Sequence, residues 1–213
     1  MKVTRLSYTK NKKRINVEVD NEFALSVEEN TVVKCNLYEG RIVDKKFIQE
    51  TREFDIAEYA FRKSVDYISI RNRSRREIKD YLNRKLENNA VSTDRIIDEV
   101  ITKLEHLDLL DDRKFAETLI KDRIGRDNKS RLEIEKTLLK YGVAKDIYKE
   151  ILDEHFDHEQ ENRTIENLIT KKLRSSKISK LPIRERKIKI SEYLIRKGFN
   201  WETIKKVLNN FLN

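Results

Sequence analysis

The chain contains very few of the residues that crosslink a fold or interrupt its helices. Its 213 residues include one cysteine, one proline and four glycines. Because Cys35 is the only cysteine, no disulfide can form within the chain, which is compatible with a reducing compartment. All-β folds and α/β nucleotide-binding folds use more glycine and proline in their turns and phosphate loops. The composition therefore favours long helices with few breaks.

Long apolar runs are also missing from the sequence. No stretch approaches the roughly 18 consecutive apolar residues that a membrane span requires. The first ten residues, MKVTRLSYTK, lack the apolar core of a signal peptide. We therefore expect a cytoplasmic protein with no membrane partner.

The sequence motifs of common enzyme classes are missing as well. There is no phosphate loop, no Gly-x-Ser-x-Gly string and no Cys/His spacing typical of metal sites. His155 and His158 lie three residues apart and would suit a metal on one helix, but no further ligand pair has a recognisable spacing. Cys35 has no activating group close in sequence. These absences predict a binding protein that is not an enzyme and has no catalytic residue, metal or cofactor.

Charge is what the sequence has in abundance. Charged residues make up 40% of the chain and hydrophobic residues 38%. This balance suits thin helical layers, each with one buried stripe, better than one large core. The formal net charge is +9, and residues 158–213 hold 14 Lys and Arg against six Asp and Glu, while the remainder is nearly balanced. Such a field attracts nucleic acid, an anionic membrane or an acidic protein surface.

The first 53 residues differ in periodicity from the rest of the chain. Apolar and polar residues alternate with a period of two, and turn-forming residues separate the alternating runs. We predict three antiparallel strands, within residues 3–8, 14–19 and 23–27. Residues 28–37 are ambiguous and suit a short helix that ends at Gly40. A sheet this small is only marginally stable alone, so we expect it to pack on the first helices.

The helical remainder repeats with an offset of 56 residues. A capping box, Ser-x-x-Glu, occurs at residues 74–77 and again at 130–133. The offset also aligns Gly142 with Gly198, each at a helix end where a positive φ is expected. Two apolar columns are invariant: Ile78, Ile134 and Ile190, and Leu82, Leu138 and Leu194. Invariant columns four residues apart, with matching caps, indicate tandem units of one kind.

These observations predict a mainly α fold: three tandem three-helix repeats in an elongated array, preceded by a small β-rich N-terminal domain. The predicted boundaries are residues 1–53 for that domain, then 54–110, 111–157 and 158–213 for repeats 1, 2 and 3. The nine helices are expected at residues 55–70, 74–86, 93–106, 112–126, 130–141, 144–155, 159–173, 182–197 and 201–212. In repeat 3, Pro182 at a first helical position replaces the capping box.

Several strings in the sequence resemble the RecX family of regulatory proteins. They are Arg71-x-Arg73-Ser74-x-x-Glu77-Ile78, Leu82-x-x-Lys85, Leu110-Asp111-Asp112-x-x-Phe115-Ala116, Val3-x-x-Leu6 and Val17-x-Val19-Asp20-x-Glu22-Phe23-Ala24. The Leu-Asp-Asp-x-x-Phe-Ala string is the most specific of them, and the resemblance spans the whole chain. One departure is Leu86-Glu87, where the family often has a Lys-Gly-aromatic helix ending.

The resemblance implies a bacterial cytosolic regulator of the RecA recombinase. Such proteins bind the nucleoprotein filament that RecA forms on single-stranded DNA, most limit filament growth or strand exchange, and some bind DNA themselves. On this hypothesis the chain is a monomer that docks along the filament and inhibits by occupying its groove. The alternatives are a stand-alone protein that binds single-stranded or double-stranded DNA, and a helical scaffold for an acidic protein partner.

Two basic groups are the candidate contacts to DNA or to the filament. The larger group lies in repeat 3 and comprises Lys171, Lys172, Arg174, Lys177, Lys180, Arg184, Arg186, Lys187 and Lys189. The smaller group lies at a predicted helix junction and comprises Arg71, Arg73, Arg75 and Arg76. Arg75, Arg131 and Lys187 share one repeat position, so a stack of repeats would present them as a basic row. The competing interpretation of each group is a solvated helix face.

Other polar and aromatic residues favour structural roles. Arg84, Lys140 and Arg196 share a position in last helical turns, where cations simply favour the helix dipole. Asp111 and Asp112 are expected to cap the next helix. Four aromatic residues are candidate base-stacking platforms: Tyr81, Tyr141, Tyr193 and Trp201. For Tyr81 and Tyr193 packing is favoured, because each lies beside a core leucine in an apolar stripe that needs this width.

Overall fold

The computed structural model describes residues 1–87 and 93–212. Residues 88–92, within predicted repeat 1, and residue 213, at the end of predicted repeat 3, lie outside the described part. The chain divides into two compact units: Met1–Arg71 with Ile78–Leu110, and Asn72–Glu77 with Asp111–Asn213. Two apolar cores lie in the first unit and two in the second.

The first unit begins with the antiparallel sheet that the alternating pattern predicts. Strands β1 (Val3–Tyr8), β2 (Ile15–Val19) and β3 (Glu22–Val27) pair in the order β1-β2-β3. The period of two in β2 buries Ile15, Val17 and Val19 on one face. Asp20 and Asn21 join β2 to β3 with φ values of 50° and 69°, a tight hairpin turn that these two residue types tolerate.

A single long helix connects this sheet to the first repeat. After the short α1 (Glu29–Lys34), helix α2 runs over Lys45–Ile68, and the side chain of Asp44 accepts a hydrogen bond from the Phe47 N–H at its start. The prediction of a helix beginning at Asp55 is therefore wrong by ten residues. The first three turns of α2, in the part of the chain where a helical period already begins near Asp44, bury a different face from the predicted segment: Phe47 packs on the sheet, whereas Ala60 lies in the core of repeat 1.

Helices α3 (Arg75–Leu86) and α4 (Asp94–His106) complete repeat 1. The two invariant columns lie at its centre, since Ile78 and Leu82 are fully buried. Leu86, which departs from the family's usual helix ending, is buried in the same core. An apolar side chain here thus extends the buried stripe of α3 by one more turn.

The second unit contains repeats 2 and 3. Its helices are α5 (Asp112–Gly125), α6 (Arg131–Lys140), α7 (Lys145–His155), α8 (His158–Leu173), α9 (Ser176–Ser179), α10 (Ile183–Arg196) and α11 (Trp201–Phe211). Each predicted helix of this unit is present, and each end lies within one residue of its prediction. The short α9 was not predicted, and Pro182 is the N-cap of α10 instead of its first residue.

The 56-residue offset reappears in this unit as a pair of equivalent hydrogen bonds. Ser74 Oγ donates to the carbonyl of Tyr141 at 2.7 Å, and Ser130 Oγ donates to the carbonyl of Lys197 at 2.5 Å. Each serine also accepts from the N–H of the glutamate three residues later, at 3.2 Å in both cases. One hydroxyl therefore caps the start of a helix and binds the end of the corresponding helix in the next repeat.

The residues that follow Tyr141 and Lys197 must be glycines, because the backbone there is left-handed and because a side chain would have too little room. Gly142 and Gly198 have φ values of 75° and 87°, as their helix-end positions predict. A Cβ on Gly142 would lie 2.8 Å from Cβ of Arg76, and one on Gly198 would lie 3.2 Å from Cβ of Leu132. Because Arg76 and Leu132 are also 56 residues apart, the close approach is repeated too.

Candidate nucleic-acid interface

The exposed part of the larger basic group lies on α8, α9 and α10 of repeat 3 and on the C-cap residues of α8 and α9. Helix α9 packs against both α8 and α10, and Ile178 anchors it in the core of the repeat. Its polar side chains therefore face solvent. Six cations of the group are exposed: Lys171, Arg174, Lys177, Lys180, Arg184 and Lys189. Within residues 1–87 and 93–212, none of these six has a carboxylate at ion-pair distance.

The other three members of this group make contacts inside repeat 3. Arg186 Nη2 donates to the carbonyls of Ser179 and Leu181, at 2.7 and 3.0 Å, and so holds the turn between α9 and α10. Lys172 Nζ lies 4.5 Å from the ring centroid of Tyr193. Lys187 Nζ donates to Asn209 Oδ1 at 3.3 Å. These contacts give all three a role in the fold of the repeat, and Arg186 occupies the repeat position of Ser74 and Ser130.

The smaller basic group is mainly engaged around the start of α3. The Arg73 side chain is only 9% exposed and lies 3.5 Å from the carboxylate of Glu77. The backbone N–H of Arg75 donates to Asp112 Oδ1 at 2.7 Å. The methylenes of Arg76 lie against Gly142, and Arg71, the last residue of the first unit's opening segment, is exposed.

Arg131, from the expected basic row, is paired with two acids. Its Nε lies 3.2 Å from Glu135 and its Nη2 lies 2.5 Å from Asp153. Two carboxylates therefore offset this one charge, and Lys187 in the same row is hydrogen-bonded as described above. The residues of this row therefore have local contacts, whereas the six exposed cations of the larger group have no carboxylate at ion-pair distance within the described residues.

The acidic residues of the Leu-Asp-Asp string are caps, as expected. Asp111 accepts from the N–H groups of Arg113 and Lys114, at 2.8 and 3.1 Å, at the start of α5. Asp112 departs from the expectation in one respect, because it accepts from Arg75 and so caps α3 and not the next helix. Both aspartates of this string therefore have a structural role, because each caps the start of a helix.

The two histidines considered as metal ligands do not share a helix. His155 is the last residue of α7 and His158 is the first residue of α8. Across the described residues, no group of three or more His, Cys, Asp or Glu side chains is arranged to hold a metal ion. The same part of the chain contains no helix with the length and apolar character needed to cross a membrane.

Two aromatic residues form a contact that the sequence pattern did not predict. Tyr81 and Tyr193 are half-buried against the cores of repeats 1 and 3, as expected. Tyr81, however, also stacks on Tyr67, with ring centroids 4.3 Å apart and planes inclined by 12°. The two residues lie on different helices, so no periodicity within one helix indicates the pair. Trp201 is 53% exposed at the start of α11.

Comparisons with known proteins agree with the resemblance. The model of the regulatory protein RecX N-terminal domain matches residues 1–44, and that of the third three-helix domain of RecX matches residues 159–208. The regulatory protein RecX of Listeria monocytogenes is 32% identical over 206 residues, which cover 96% of this chain and 74% of that protein. The regulatory protein RecX of Finegoldia magna is 30% identical over 207 residues, covering 97% of this chain and 98% of that protein.

Solved structures show the same fold. A crystal structure of a regulatory protein RecX matches with a TM-score of 0.71 and 24% identity over 98% of both chains. The crystal structure of RecX from Lactobacillus salivarius matches with a TM-score of 0.64 and 25% identity, covering 74% of this chain and 97% of that one. With identity of 30% or more along nearly its whole length to curated relatives, the chain belongs to the RecX family of regulatory proteins.

Proposed function

We propose that this chain regulates the RecA recombinase by binding the filament that RecA forms on single-stranded DNA. Membership of a family of regulatory proteins supports this proposal, and RecA is the partner that the RecX resemblance implies. The chain acts as a cytoplasmic monomer and inhibits by occupying the filament groove, where it blocks subunit addition or the entry of partner DNA. Steric occupation requires no catalytic residue and no cofactor.

The observation that carries the proposal is the clustering of exposed, unpaired cations within residues 171–189, a segment with a single acidic residue, Glu185. Six exposed cations of this segment have no acidic partner in the described chain. Elsewhere many cations are paired, as Arg62 is with Glu28 at 2.6 Å and Lys34 is with Glu58 at 2.7 Å. A local excess of unpaired cations attracts phosphate, whereas paired cations at the surface contribute little to such a field. Repeat 3 is therefore the part of the chain that faces DNA.

Lysine-rich contacts of this kind bind phosphate without distinguishing bases. The six side chains act mainly as point charges toward a backbone, so binding is independent of sequence and steeply dependent on salt. Such a mode suits a filament, in which the DNA sequence differs from one filament to the next. The acidic surface of a protein partner attracts the same side chains, so contacts to RecA and to DNA share this patch.

The test measures ATP hydrolysis by RecA on single-stranded DNA while this protein is added below one molecule per RecA. Inhibition is expected at these ratios because each bound molecule blocks growth at its position. Substituting Lys171, Arg174, Lys177 and Lys180 with Ala is expected to raise the concentration needed for half-inhibition at least tenfold, about 1.4 kcal/mol. A charge-matched control substitutes four exposed lysines of repeat 2 with Ala: Lys121, Lys136, Lys140 and Lys149.

Three other outcomes contradict the proposal in different ways. Unchanged ATP hydrolysis at every ratio below one per RecA, together with retention on bare DNA, favours a stand-alone nucleic-acid-binding protein. Failure to bind either bare DNA or the filament at low salt favours a scaffold for an acidic protein. Equal loss of inhibition in the control variant shows that total charge matters and that repeat 3 is not the contact surface.

A further inference from the structure

We propose a second binding site, in the first unit, that takes one nucleotide of a single-stranded nucleic acid. It is formed by Tyr67 at the end of α2 and by Tyr81, Arg84 and Lys85 on α3. These four side chains line an open surface cavity of about 420 Å³. This volume falls within the roughly 300–1,000 Å³ range of small-ligand sites.

The spacing along α3 places the three side chains on one face. Residues separated by three or four positions are neighbours on a helix surface, and Arg84 and Lys85 follow Tyr81 at those distances. Ile78, three residues before Tyr81, and Leu82, directly after it, are fully buried. Tyr81 therefore stands at the rim of the core, with part of its ring against the apolar cluster and part at the surface.

Tyr67 covers one face of the Tyr81 ring at this rim, so the two rings form a stack that a base can extend. Its ring is nearly parallel to that of Tyr81, at 12° and with 4.3 Å between centroids. Lys85 Nζ lies 5.7 Å from the centroid of the Tyr81 ring. A base stacking on Tyr81 takes the place of this flexible ammonium group, which then moves toward the phosphate.

Arg84 is held beside the cavity by a backbone contact. Its Nε donates to the carbonyl of Asp80 at 3.2 Å, and the side chain is exposed. Within the described chain its two Nη groups have no carboxylate partner. A guanidinium held in this way presents two parallel donors, an arrangement that matches the oxygens of a phosphate.

The chemistry of the four residues selects a ligand that is both flat and anionic. Two cations beside the rings repel a cationic ligand, which excludes the quaternary ammonium groups that other aromatic clusters bind. An apolar peptide leaves both charges unused. A nucleotide satisfies both features, because its base stacks on tyrosine and its phosphate pairs with arginine or lysine. The position of Arg84 and Lys85 in a last helical turn explains their charge but not the adjoining tyrosine pair.

The inference rests on the proposed function only in taking single-stranded DNA as the ligand, and it does not require RecA. The experiment compares two labelled strands of equal length: oligothymidine, and a strand made entirely of abasic sites. Both carry the same phosphates, so only the first can stack. The full-length protein is expected to bind oligothymidine about tenfold more tightly, because stacking on one aromatic residue contributes about 1–3 kcal/mol.

Three tyrosine variants locate the source of that preference. Tyr81→Leu is expected to remove most of the tenfold preference, and Tyr81→Phe is expected to keep it because the ring is retained. Tyr38→Leu is the matched control, since Tyr38 is 54% exposed in the same unit and lies outside the cavity. An unchanged preference in folded Tyr81→Leu, or equal loss in Tyr38→Leu, overturns the site.

Photo-crosslinking of the unmodified protein gives an answer that does not depend on how the variants fold. A strand containing 5-iododeoxyuridine is irradiated with the protein, and the crosslinked residues are identified by mass spectrometry. Crosslinks to Tyr67 or Tyr81 are expected, and crosslinks confined to other residues overturn the proposal. If free thymidine monophosphate competes with the strand at equal nucleotide concentration, the ligand of the site is a free nucleotide and not a strand.

The outcomes separate this site from the repeat 3 surface. If the protein binds both strands equally, the stacking site is wrong while the phosphate contacts of repeat 3 stand. If the four-alanine variant of repeat 3 binds both strands as tightly as the unmodified protein, the proposed function loses its contact surface. A retained preference for oligothymidine in that variant still supports the stacking site.

Discussion

Asp55 shows at the scale of one residue how the N-terminal sheet is held to α2. Its buried carboxylate accepts from the Glu28 N–H at 2.8 Å, from Thr31 Oγ1 at 2.6 Å and from Arg14 Nη2 at 2.5 Å. Glu28 follows β3 directly, Thr31 lies in α1, and Arg14 directly precedes β2. A buried carboxylate is stable only when such partners surround it. The network thus provides stability that a three-stranded sheet lacks on its own.

The neighbouring ion pair of Glu28 and Arg62 makes the stability of the first unit depend on pH. Hydrogen bonds from Arg62 hold the pKa of Glu28 below its usual value of 4.5. A lowered folded-state pKa stabilises the protein above the unfolded value, and this contribution is lost as pH falls through the folded-state pKa. Glu28→Gln is therefore expected to lower the free energy of unfolding at pH 7 by about 0.2–1 kcal/mol, since Arg62 is half-exposed.

Urea unfolding at pH 7 and at pH 3 tests this expectation. The difference between the unmodified protein and Glu28→Gln should shrink at the lower pH, because the ionic contribution of Glu28 is lost as pH falls from its unfolded-state pKa through its lowered folded-state pKa. Glu50→Gln serves as the control, because Glu50 is 62% exposed and pairs only loosely with Lys46 at 3.6 Å. A difference that stays constant with pH argues against an ionic contribution from Glu28.

Gly142 and Gly125 are expected to respond to alanine in opposite directions. Gly142→Ala forces a side chain into a left-handed backbone, which costs about 1–2 kcal/mol, and brings its Cβ within 2.8 Å of Arg76 Cβ. Gly125 lies in α5, and a Cβ there would meet nothing within 4 Å. Gly125→Ala is expected to stabilise by roughly 0.5–1 kcal/mol. Thermal unfolding of both variants measures the contrast, and equal destabilisation would argue that φ and close approach are not the cause.

At the scale of elements, the cap serines join successive repeats. Ser130 is 1% exposed, accepts from Glu133 N–H and donates to the Lys197 carbonyl. Ser130→Ala removes the cap and leaves that carbonyl without this donor, so we expect a loss of about 2 kcal/mol. Ser175→Ala is the control, because Ser175 is an exposed N-cap whose side chain makes no capping hydrogen bond.

Chemical denaturation of Ser130→Ala and Ser175→Ala tests whether Ser130 stabilises the contact between successive repeats. The control is expected to change the free energy of unfolding by no more than about 0.5 kcal/mol. If Ser130→Ala changes the free energy of unfolding by no more than the control does, the hydrogen bond to Lys197 contributes nothing beyond what water supplies. The corresponding variant Ser74→Ala should then behave in the same way, because its contacts with Glu77 and Tyr141 are equivalent.

Helices α2 and α9 mark where element boundaries depended on tertiary contacts. The first three turns of α2 bury Phe47 against the sheet and its later turns bury Ala60 in repeat 1, so no single apolar stripe runs along the whole helix. Helix α9 has four residues and depends on one anchor, Ile178. A short turn held by one apolar side chain leaves no periodic signal in the sequence.

At the scale of the whole molecule, the distribution of charge predicts how DNA binding responds to salt. If each of the six exposed cations of repeat 3 meets one phosphate of a single strand, the logarithm of the binding constant falls with the logarithm of salt with a slope of about −4. Removing four of them should reduce the slope to about −1.5. Titrations at several salt concentrations measure both slopes.

The charge-matched variant of repeat 2 controls for net charge in these titrations. Its four alanines replace Lys121, Lys136, Lys140 and Lys149, and the slope should stay near that of the unmodified protein. Because counterion release counts only contacts to phosphate, a lower net charge elsewhere changes it little. A slope that falls equally in both variants would show that phosphate contacts are not confined to repeat 3.

Sequence patterns alone were sufficient to predict the class of fold, the repeat period and the position of nearly every helix of repeats 2 and 3. These features follow from local chemistry: caps such as Ser130, helix-ending glycines such as Gly142, and apolar columns such as Ile134 express preferences of a few neighbouring residues. The charge excess of the last quarter is likewise a property of composition.

Which charges are available at the surface, and which aromatic rings stack on each other, follows from tertiary contacts that no local pattern indicates. Arg131 and Lys177 are equally basic in the sequence, yet the first is paired with Asp153 and Glu135 and the second is exposed without a carboxylate partner in the described chain. Tyr81 finds Tyr67 on another helix. The physical reason is that ion pairing, burial and stacking depend on side chains far apart in the chain, and folding alone brings them together.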